Sequence, residues 1–269
     1  MRVPPAFLLA SLLTLSACGS AGDAPPGGSE GDRGGGTLPT LSGTLTVFAA
    51  ASLTDVFTDL GEQLEAQHPD LEVQFNFAGS SALAGQLTQG APADVFAAAD
   101  EAQMARVAEA GLAGDAELFA SNRLMLAFPA DNPAGLRKPP SGIPSLGELL
   151  PEDLTLAVCA PEVPCGAAAQ EVLEQVGRTD APDTYEEDVR GVLTKVQLGE
   201  VDAGLVYRTD VMSGEIPAFA FAESEAAQNR YPVAVLDDAP NAAAARAFTD
   251  LLLSEEGRRA LTDAGFFEP

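Results

Sequence analysis

The stretch Leu45-Thr-Val-Phe-Ala-Ala-Ala-Ser-Leu-Thr-Asp55 joins an apolar run to a serine and then to polar residues. Residues 43–50 have the apolar character of a buried strand. The residues that follow have apolar side chains at helical spacing: Val56, Phe57, Leu60 and Leu64. Ser52 is therefore predicted to lie between the end of a strand and the start of a helix.

The same order of strand, small residues and helix recurs along the chain. Residues 71–77 alternate between apolar and polar side chains, as a strand does, and Gly79-Ser80-Ser81 then precedes a short helix. Further strands are predicted at 154–158 and 203–207, with helices beginning at Pro164 and after Asp188. This alternation is typical of α/β proteins, and we expect mostly parallel sheets with flanking helices.

The length of 269 residues allows one large domain or two modest ones, each with its own core. The number of helices predicted along the body favours two lobes. We place the crossings between lobes near residues 121–123 and 229–231. One lobe is then 42–122 plus 230–269, the other is 123–229, and a cleft separates them.

The N-terminus has the pattern of a targeting segment. Residues 6–15 are apolar but too few to span a membrane, and they end just before Cys18. We interpret residues 1–17 as a lipoprotein signal peptide with Cys18 as the lipidated first residue; an ordinary signal peptide is the alternative. Residues 18–41 are rich in Gly, Pro and Ser and predict a flexible tether. The protein would then be extracytoplasmic and anchored to the cell membrane.

The charge of the chain limits its partners. Asp and Glu number 40 against 14 Lys and Arg, which gives a formal net charge of −26. This balance argues against nucleic acid and against an anionic membrane surface as partners. An anion-binding site in such a protein would have to work by local dipoles.

Two further cysteines, Cys159 and Cys165, flank a loop that contains two prolines. Outside the cytoplasm these cysteines can form a disulfide. We prefer that interpretation, and two free thiols are the alternative. The chain has a single histidine, His68, so we expect no direct ligand set for a metal cation.

Ser52 and Ser80 both stand where a strand gives way to a helix. A serine there commonly caps the helix with its hydroxyl oxygen. However, a helix start also presents unpaired N–H groups and a partial positive charge, so that serine hydroxyls and N–H groups together can hold an oxyanion without a cationic side chain.

Several sequence blocks together resemble the molybdate-binding proteins of ABC transporters, which have the two-lobed periplasmic-binding-protein fold of type II. The blocks are Leu45–Asp55, Gly90-Ala-Pro-Ala-Asp-Val-Phe96, Val163-Pro-Cys-Gly166, Glu187-Asp-Val-Arg-Gly191, Gly204-Leu-Val-Tyr207 and Tyr231-Pro-Val-Ala-Val235. The resemblance extends from about residue 43 to residue 267.

The resemblance implies both a ligand and a binding site. Ser52 and Ser80 would donate hydroxyl and backbone hydrogen bonds, Cys165 and Val189 would donate backbone N–H, and Tyr207 would donate its phenol. The family often has Ala where this chain has Cys165, a change that a backbone donor tolerates. The implied protein is a monomer without a cofactor that binds molybdate or tungstate and passes it to an ABC transporter permease.

The chemistry of the ligand indicates which anions such a site accepts. Molybdate is fully deprotonated at neutral pH, whereas phosphate carries a proton that a site made only of donors leaves unpaired, at a cost of ~1–3 kcal/mol. Sulfate is also fully deprotonated and is the main alternative ligand. An organic anion would call for an arginine, and the candidates are Arg123 and Arg190, each of which could equally be solvated or bridge the lobes.

Two other kinds of protein fit the sequence less well. A serine hydrolase needs a base beside its serine, and the single histidine, His68, stands next to Pro69 at a predicted helix end, where we expect it to be exposed. Neither Ser52 nor Ser80 lies in a Gly-x-Ser-x-Gly motif. The second is a purely structural surface lipoprotein, which would gain no stability from a small ligand.

Overall fold

The computed structural model describes residues 40–269. The predicted signal peptide, Cys18 and nearly all of the predicted tether lie outside the described residues. Among the described helices, none is both long and apolar enough to cross a membrane.

The described chain contains two five-stranded sheets with helices packed around them. The strands are β1 Ser42–Ala50, β2 Asp70–Ala78, β3 Val95–Ala97, β4 Glu117–Asn122, β5 Leu124–Ala127, β6 Leu156–Cys159, β7 Pro182–Glu186, β8 Ala203–Tyr207, β9 Ala218–Phe219 and β10 Asn229–Val235. The α-helices are α1 Thr54–Gln67, α2 Ser80–Thr88, α3 Glu101–Glu109, α4 Leu146–Leu149, α5 Pro164–Gln175, α6 Val189–Leu198, α7 Ala242–Leu253 and α8 Glu255–Asp263.

The first sheet has the order β2-β1-β3-β10-β4 and forms the centre of one lobe, called lobe 1 below. Alternate side chains of β1 enter different cores: Leu45 and Val47 pack with Phe57 of α1, whereas Phe48 packs with Leu83 of α2. This is the expected result of the two-residue period of a strand. Lobe 1 therefore has helices on both faces of its sheet.

The second sheet has the order β7-β6-β8-β5-β9 and forms the centre of lobe 2. Its core is built from β5, β6 and β8 together with the apolar faces of α5 and α6. The expected two-lobed α/β fold with flanking helices is thus confirmed.

Both sheets are mixed, where the sequence had suggested mostly parallel pairing. In each sheet two strand pairs are parallel and two are antiparallel. The reversed strand is β10 in lobe 1 and β5 in lobe 2, and each is the first strand after the chain crosses between lobes. A strand that enters by a crossing needs no helix connection to its neighbour, so it is free to run antiparallel.

The strands β4, β7 and β9 did not emerge from the sequence. The β7 segment Pro-Asp-Thr-Tyr-Glu is largely polar and lies at the edge of its sheet, where only one side needs a hydrogen-bonded partner. The β9 segment is only two residues long. Neither has the continuous or alternating apolar pattern by which a strand is recognised.

Candidate functional site

A small cavity lies between the lobes, where helix starts from both sheets meet. The space free of atoms measures about 220 Å³, part of which is open to solvent. The five residues predicted to bind the oxyanion all line it: Ser52, Ser80, Cys165, Val189 and Tyr207. Residues separated by up to 155 positions in sequence are thus brought to one point, which lies beyond the carboxyl ends of strands from both sheets.

Ser52 does not cap a helix. It is part of a 3-10 turn, Ala51–Leu53, that links β1 to α1, and no side-chain cap is present at either helix start. Its hydroxyl instead lies 2.9 Å from the hydroxyl of Tyr231, and both groups are buried. From the sequence, Tyr231 is named only as part of the block 231–235, and its contact with Ser52 is not predicted.

Ser80 is the first residue of α2, and Gly79 occupies the cap position without a side-chain bond. The Ser80 hydroxyl oxygen accepts a hydrogen bond of 2.9 Å from the backbone N–H of Ala99. Only 1% of Ser80 is exposed. The capping role that a serine most often has at such a position is therefore absent at both serines, and each hydroxyl is held at the cavity wall.

Lobe 2 contributes two helix starts. Cys165 is the second residue of α5, directly after Pro164, and Val189 is the first residue of α6. The first N–H groups of a helix have no carbonyl partner within that helix, and the helix dipole adds partial positive charge there. The backbone at both positions therefore suits an anion.

A disulfide joins Cys159 at the end of β6 to Cys165 in the first turn of α5. It closes the loop that carries the Cys165 backbone to the cavity wall. The loop is also tight at Gly166, where a Cβ would lie 1.8 Å from the Ala160 carbonyl oxygen. The position of the Cys165 N–H is therefore set by a covalent link as well as by packing.

Tyr207 is the last residue of β8 and lines the cavity. Within the described chain its hydroxyl is buried and has no hydrogen-bond partner. An unpaired buried hydroxyl is costly unless a ligand satisfies it. Burial raises the pKa of Tyr207 well above its usual range, and the nearby Tyr231 and Asp100 add to the rise. The phenol therefore keeps its proton and can act as a donor.

The acidic groups at the cavity, among them the lining residue Asp188, accept hydrogen bonds from backbone N–H groups. The Asp188 carboxylate caps α6 by accepting from the Gly191 N–H. Asp210 is buried and accepts from the Tyr207 N–H at 2.9 Å. Burial raises the pKa of Asp210 to about 7, while the cation of Arg190 acts to lower it.

Neither arginine considered for an organic anion lines the cavity. Arg190 bridges the lobes, with Nη2 2.6 Å from Asp55 and Nε 3.6 Å from Asp210. Arg123 lies over the ring of Phe267, 4.6 Å from its centroid, and pairs with Glu225. The cavity lining contains no Lys, Arg or His. It can therefore attract an anion only through hydroxyls, N–H groups and helix dipoles.

The two lobes are in contact around the cavity. A Cβ at Gly79 of lobe 1 would lie 2.4 Å from the carbonyl oxygen of Glu187 in lobe 2. The Asn229 amide donates to the carbonyls of Ala99 and Pro164, one in each lobe. These contacts define a closed arrangement of the lobes around a narrow cavity.

His68 lies at the far end of the 14-residue helix α1 from Ser52, where its Nδ1 accepts from the Leu41 N–H at 3.4 Å. It does not line the cavity. Neither serine at the cavity therefore has a histidine base beside it, as nucleophilic catalysis by a serine would require.

A two-lobed α/β chain that closes on a cavity lined with hydrogen-bond donors has the architecture of a solute-binding protein. A family model of bacterial extracellular solute-binding proteins matches residues 45–267. The chain belongs to this family of bacterial extracellular solute-binding proteins.

Individual relatives refine this result. The molybdate-binding protein ModA of Mycobacterium tuberculosis is 42% identical over 269 residues, covering 98% of this chain and 95% of that protein. Among solved structures, the periplasmic molybdate-binding protein of Azotobacter vinelandii aligns with a TM-score of 0.72 at 20% identity, covering 84% of this chain and 99% of that one. The sulfate-binding protein SubI of Mycobacterium tuberculosis aligns with a TM-score of 0.64 at 16% identity, covering 83% and 86%. The last two matches establish the fold alone.

Proposed function

We propose that this protein binds molybdate, with tungstate as a near-equivalent ligand, and delivers it to the permease of an ABC importer. The observation that carries the proposal is the unpaired, buried hydroxyl of Tyr207 in a cavity otherwise lined by serine hydroxyls and helix starts. A fully deprotonated oxyanion would give every one of these donors an acceptor. The molybdate-binding relative, 42% identical over nearly the whole chain, supports the same ligand.

The anion would be held by Ser52 and Ser80 from lobe 1, and by the N–H groups of Cys165 and Val189 and the phenol of Tyr207 from lobe 2. Because each lobe supplies part of the donor set, the ligand stabilises the closed form over the open one. Closure would then present one shape to the permease. The protein acts by binding and release, without chemical conversion of the ligand and without a cofactor.

Attachment to the membrane is part of the proposal. A lipid on Cys18 and a tether of about 22 residues would hold the body within ~25 Å of the membrane on average, using ~5–6 Å per root residue. That distance keeps the closed protein near its permease while allowing it to rotate. A monomer suffices for this role, because one chain contains the entire donor set.

Thermal unfolding of the purified protein tests the ligand. Molybdate, tungstate, sulfate and phosphate are added separately, each up to concentrations that would saturate a specific site. A ligand at a hundred times its dissociation constant adds ~2.7 kcal/mol of stability, which raises Tm by several degrees at ~2–4 °C per kcal/mol. We expect a rise with molybdate and tungstate alone. An equal rise with sulfate would make the protein a general binder of deprotonated oxyanions, and no rise with any of the four would reject the proposal.

Serine variants test the site. Ser52→Ala and Ser80→Ala should each weaken molybdate binding by about tenfold or more, since each removes a hydrogen bond to a charged group, worth ~1.5–3 kcal/mol. Ser81→Ala is the matched control, because Ser81 is the next residue of α2 and does not line the cavity. Unchanged affinity in both of the first two variants would show that the ligand binds elsewhere.

A further inference from the structure

We infer that Asn229 is a positioning residue that fixes the distance between the two halves of the oxyanion site, and that this distance lets the cavity reject sulfate. The inference rests on the proposed function, because it concerns how the same cavity selects its ligand. Asn229 is not among the residues that line the cavity. It acts through two residues that do line it, one in each lobe.

Sulfate is the anion that hydrogen-bond donors cannot reject by their chemistry. It carries the same charge as molybdate and, like molybdate, has no proton at neutral pH. Sulfate is smaller, and a hydrogen bond needs a donor–acceptor distance within a narrow range. Sulfate is therefore rejected only if donors on opposite sides of the cavity are held too far apart to reach it together. Something other than the ligand must then set the separation of the lobes.

Asn229 lies where the chain crosses from lobe 2 back to lobe 1. Shortly before it, Ala227 packs in the core of lobe 2, and shortly after it, Tyr231 packs in the core of lobe 1. Asn229 is the first residue of β10 and pairs with Asn122, the last residue of β4. Its backbone is thus held by the sheet of lobe 1, while its buried side chain contacts both lobes.

The amide nitrogen of Asn229 lies between two carbonyl oxygens, 3.0 Å from that of Ala99 and 3.3 Å from that of Pro164. Carbonyl oxygens only accept, so the nitrogen of the amide must face them, with one N–H for each. Because two carbonyl oxygens repel each other, the lobes cannot approach further at this point without displacing the nitrogen. The amide is therefore a spacer whose length is set by two hydrogen bonds.

Each of the two carbonyls is tied to a proposed ligand donor. In lobe 1, the N–H of Ala99 donates to the Ser80 hydroxyl at 2.9 Å. In lobe 2, the Pro164 carbonyl and the Cys165 N–H belong to one peptide group, which is planar and, when trans, directs them in opposite directions. Holding the carbonyl therefore holds the N–H. A continuous series of contacts runs from the Ser80 hydroxyl through Asn229 to the Cys165 peptide.

The amide oxygen of Asn229 indicates that this residue does more than strengthen the fold. Within the described chain, the oxygen is buried and has no hydrogen-bond partner. An unpaired buried acceptor lowers stability, and a side chain without that oxygen would avoid the cost. What asparagine provides at this position is the nitrogen between the two carbonyls.

The test measures Kd for molybdate, tungstate and sulfate by titration calorimetry at one pH and one ionic strength. Asn229→Ala removes the spacer, so that the separation of the lobes adjusts to the ligand. We expect the ratio of the sulfate Kd to the molybdate Kd to fall by about fivefold or more, the scale of the one or two hydrogen bonds that sulfate must distort in wild type. The ratio of the tungstate Kd to the molybdate Kd should stay unchanged, since the two ions are nearly equal in size.

Asn122→Ala is the matched control. Asn122 is also a buried asparagine, and its amide nitrogen donates from lobe 1 to the Thr209 hydroxyl of lobe 2 at 3.0 Å. Neither of these two residues lines the cavity. The variant therefore loses a contact between the lobes without releasing either carbonyl. It should leave the ratio of the sulfate Kd to the molybdate Kd unchanged, even where both affinities fall.

Asn229→Thr guards against a simple loss of folding. Threonine is favoured in strands, so β10 should form as before. Its hydroxyl has a single proton and can donate to one carbonyl at most, so it cannot hold both. This variant should lower the sulfate-to-molybdate Kd ratio in the same direction as Asn229→Ala.

Three results would overturn the inference. They are a sulfate-to-molybdate Kd ratio that is unchanged in both Asn229 variants, one that falls equally in Asn122→Ala, and a tungstate ratio that falls together with the sulfate ratio. Wild type that binds sulfate as tightly as molybdate would also overturn it, since no discrimination is then left for Asn229 to set. Wild type that fails to bind molybdate would instead refute the proposed function, so the two failures are distinguishable.

Discussion

Arg190 of α6 lies with its Nη2 2.6 Å from the Asp55 carboxylate of α1, an ion pair that joins lobe 2 to lobe 1 directly beside the cavity. The same guanidinium donates through Nε to the Ala51 carbonyl, next to Ser52. Because Val189 precedes Arg190 on α6, this pair connects a predicted ligand-binding backbone group to the opposite lobe. It can form only when the lobes are together.

Arg190→Met should therefore weaken molybdate binding mainly by faster dissociation. The Asp55 side chain is largely exposed, so the pair contributes ~1 kcal/mol or less, and we expect the Kd to rise by about two- to fivefold. Stopped-flow dissociation measures the effect. Arg259→Met is the control, since Arg259 pairs with Glu255 on the surface of α8. A dissociation rate equal to that of the control would mean that the ion pair does not hold the lobes together.

Gly79→Ala should prevent the lobes from closing. A Cβ there would lie 2.4 Å from the Glu187 carbonyl oxygen of the other lobe, and backbone cannot move aside cheaply. The φ of −58° at Gly79 suits any residue, so lobe 1 itself should fold normally. We expect molybdate affinity to fall by about fivefold or more, since closure must now overcome a steric clash of ~1–3 kcal/mol.

Gly85→Ala provides the matched control for Gly79→Ala. Gly85 belongs to the same helix, and a Cβ there would have no neighbour closer than 3.8 Å. This variant should keep full affinity and gain about 0.5–1 kcal/mol of stability, as expected for alanine inside a helix. Small-angle scattering with and without molybdate would report closure directly. Closure of the Gly79→Ala variant on adding ligand would contradict the prediction.

The sequence predicted the strand-to-helix junctions well, because their signals are local. Residues 43–52 contain a buried strand and then a serine, and Asp188 caps α6 as expected. Once those junctions are known, the fold's rule that ligands bind beyond strand ends places Ser52 and Ser80 near one another. The resemblance to a family added Cys165, Val189 and Tyr207, which local pattern alone could not distinguish from ordinary helix starts and strand ends.

What the sequence could not show depends on contacts between distant segments. Ser52 and Tyr231 are 179 positions apart, and nothing in either local pattern indicates that their hydroxyls meet. Arg190 left two interpretations open until its contact with Asp55 was seen, because an arginine at a helix start can be solvated or bridge the lobes. The roles of such residues are set by tertiary packing rather than by their own sequence neighbourhood.

The stability of the protein should depend on the ionisation of Asp210. Burial raises its pKa from 3.8 to about 7 in the folded protein. Between about pH 4 and pH 7 the folded state therefore binds more protons than the unfolded state, and this group makes folding less favourable as the pH rises. Each unit of pKa shift corresponds to ~1.4 kcal/mol, so the full effect is at most about 4 kcal/mol.

Asp210→Asn removes this ionisation and retains an oxygen that can accept from the Tyr207 N–H. The stability of wild type relative to the variant should thus fall as the pH is raised from 4.5 to 7.5. Urea unfolding of both proteins at several pH values measures the difference. A difference that is flat with pH, or that grows in favour of wild type, would show that Asp210 is already ionised when it is buried beside Arg190.

The disulfide between Cys159 and Cys165 should stabilise both the fold and the ligand-bound state. The two cysteines are six residues apart in sequence. For so short a loop the chain-entropy model gives a stabilisation of roughly 2 kcal/mol. In a body of this size we expect Tm to fall by about 4–8 °C when both cysteines are replaced by alanine, at ~2–4 °C per kcal/mol. Molybdate affinity should fall as well, because the loop positions the Cys165 N–H.

Reductant should lower the Tm of wild type towards that of the double variant and leave the variant itself unchanged. If a thiol reagent modifies both cysteines in the native, unreduced protein, the two are free thiols in solution, and the position of the Cys165 backbone must then depend on packing alone.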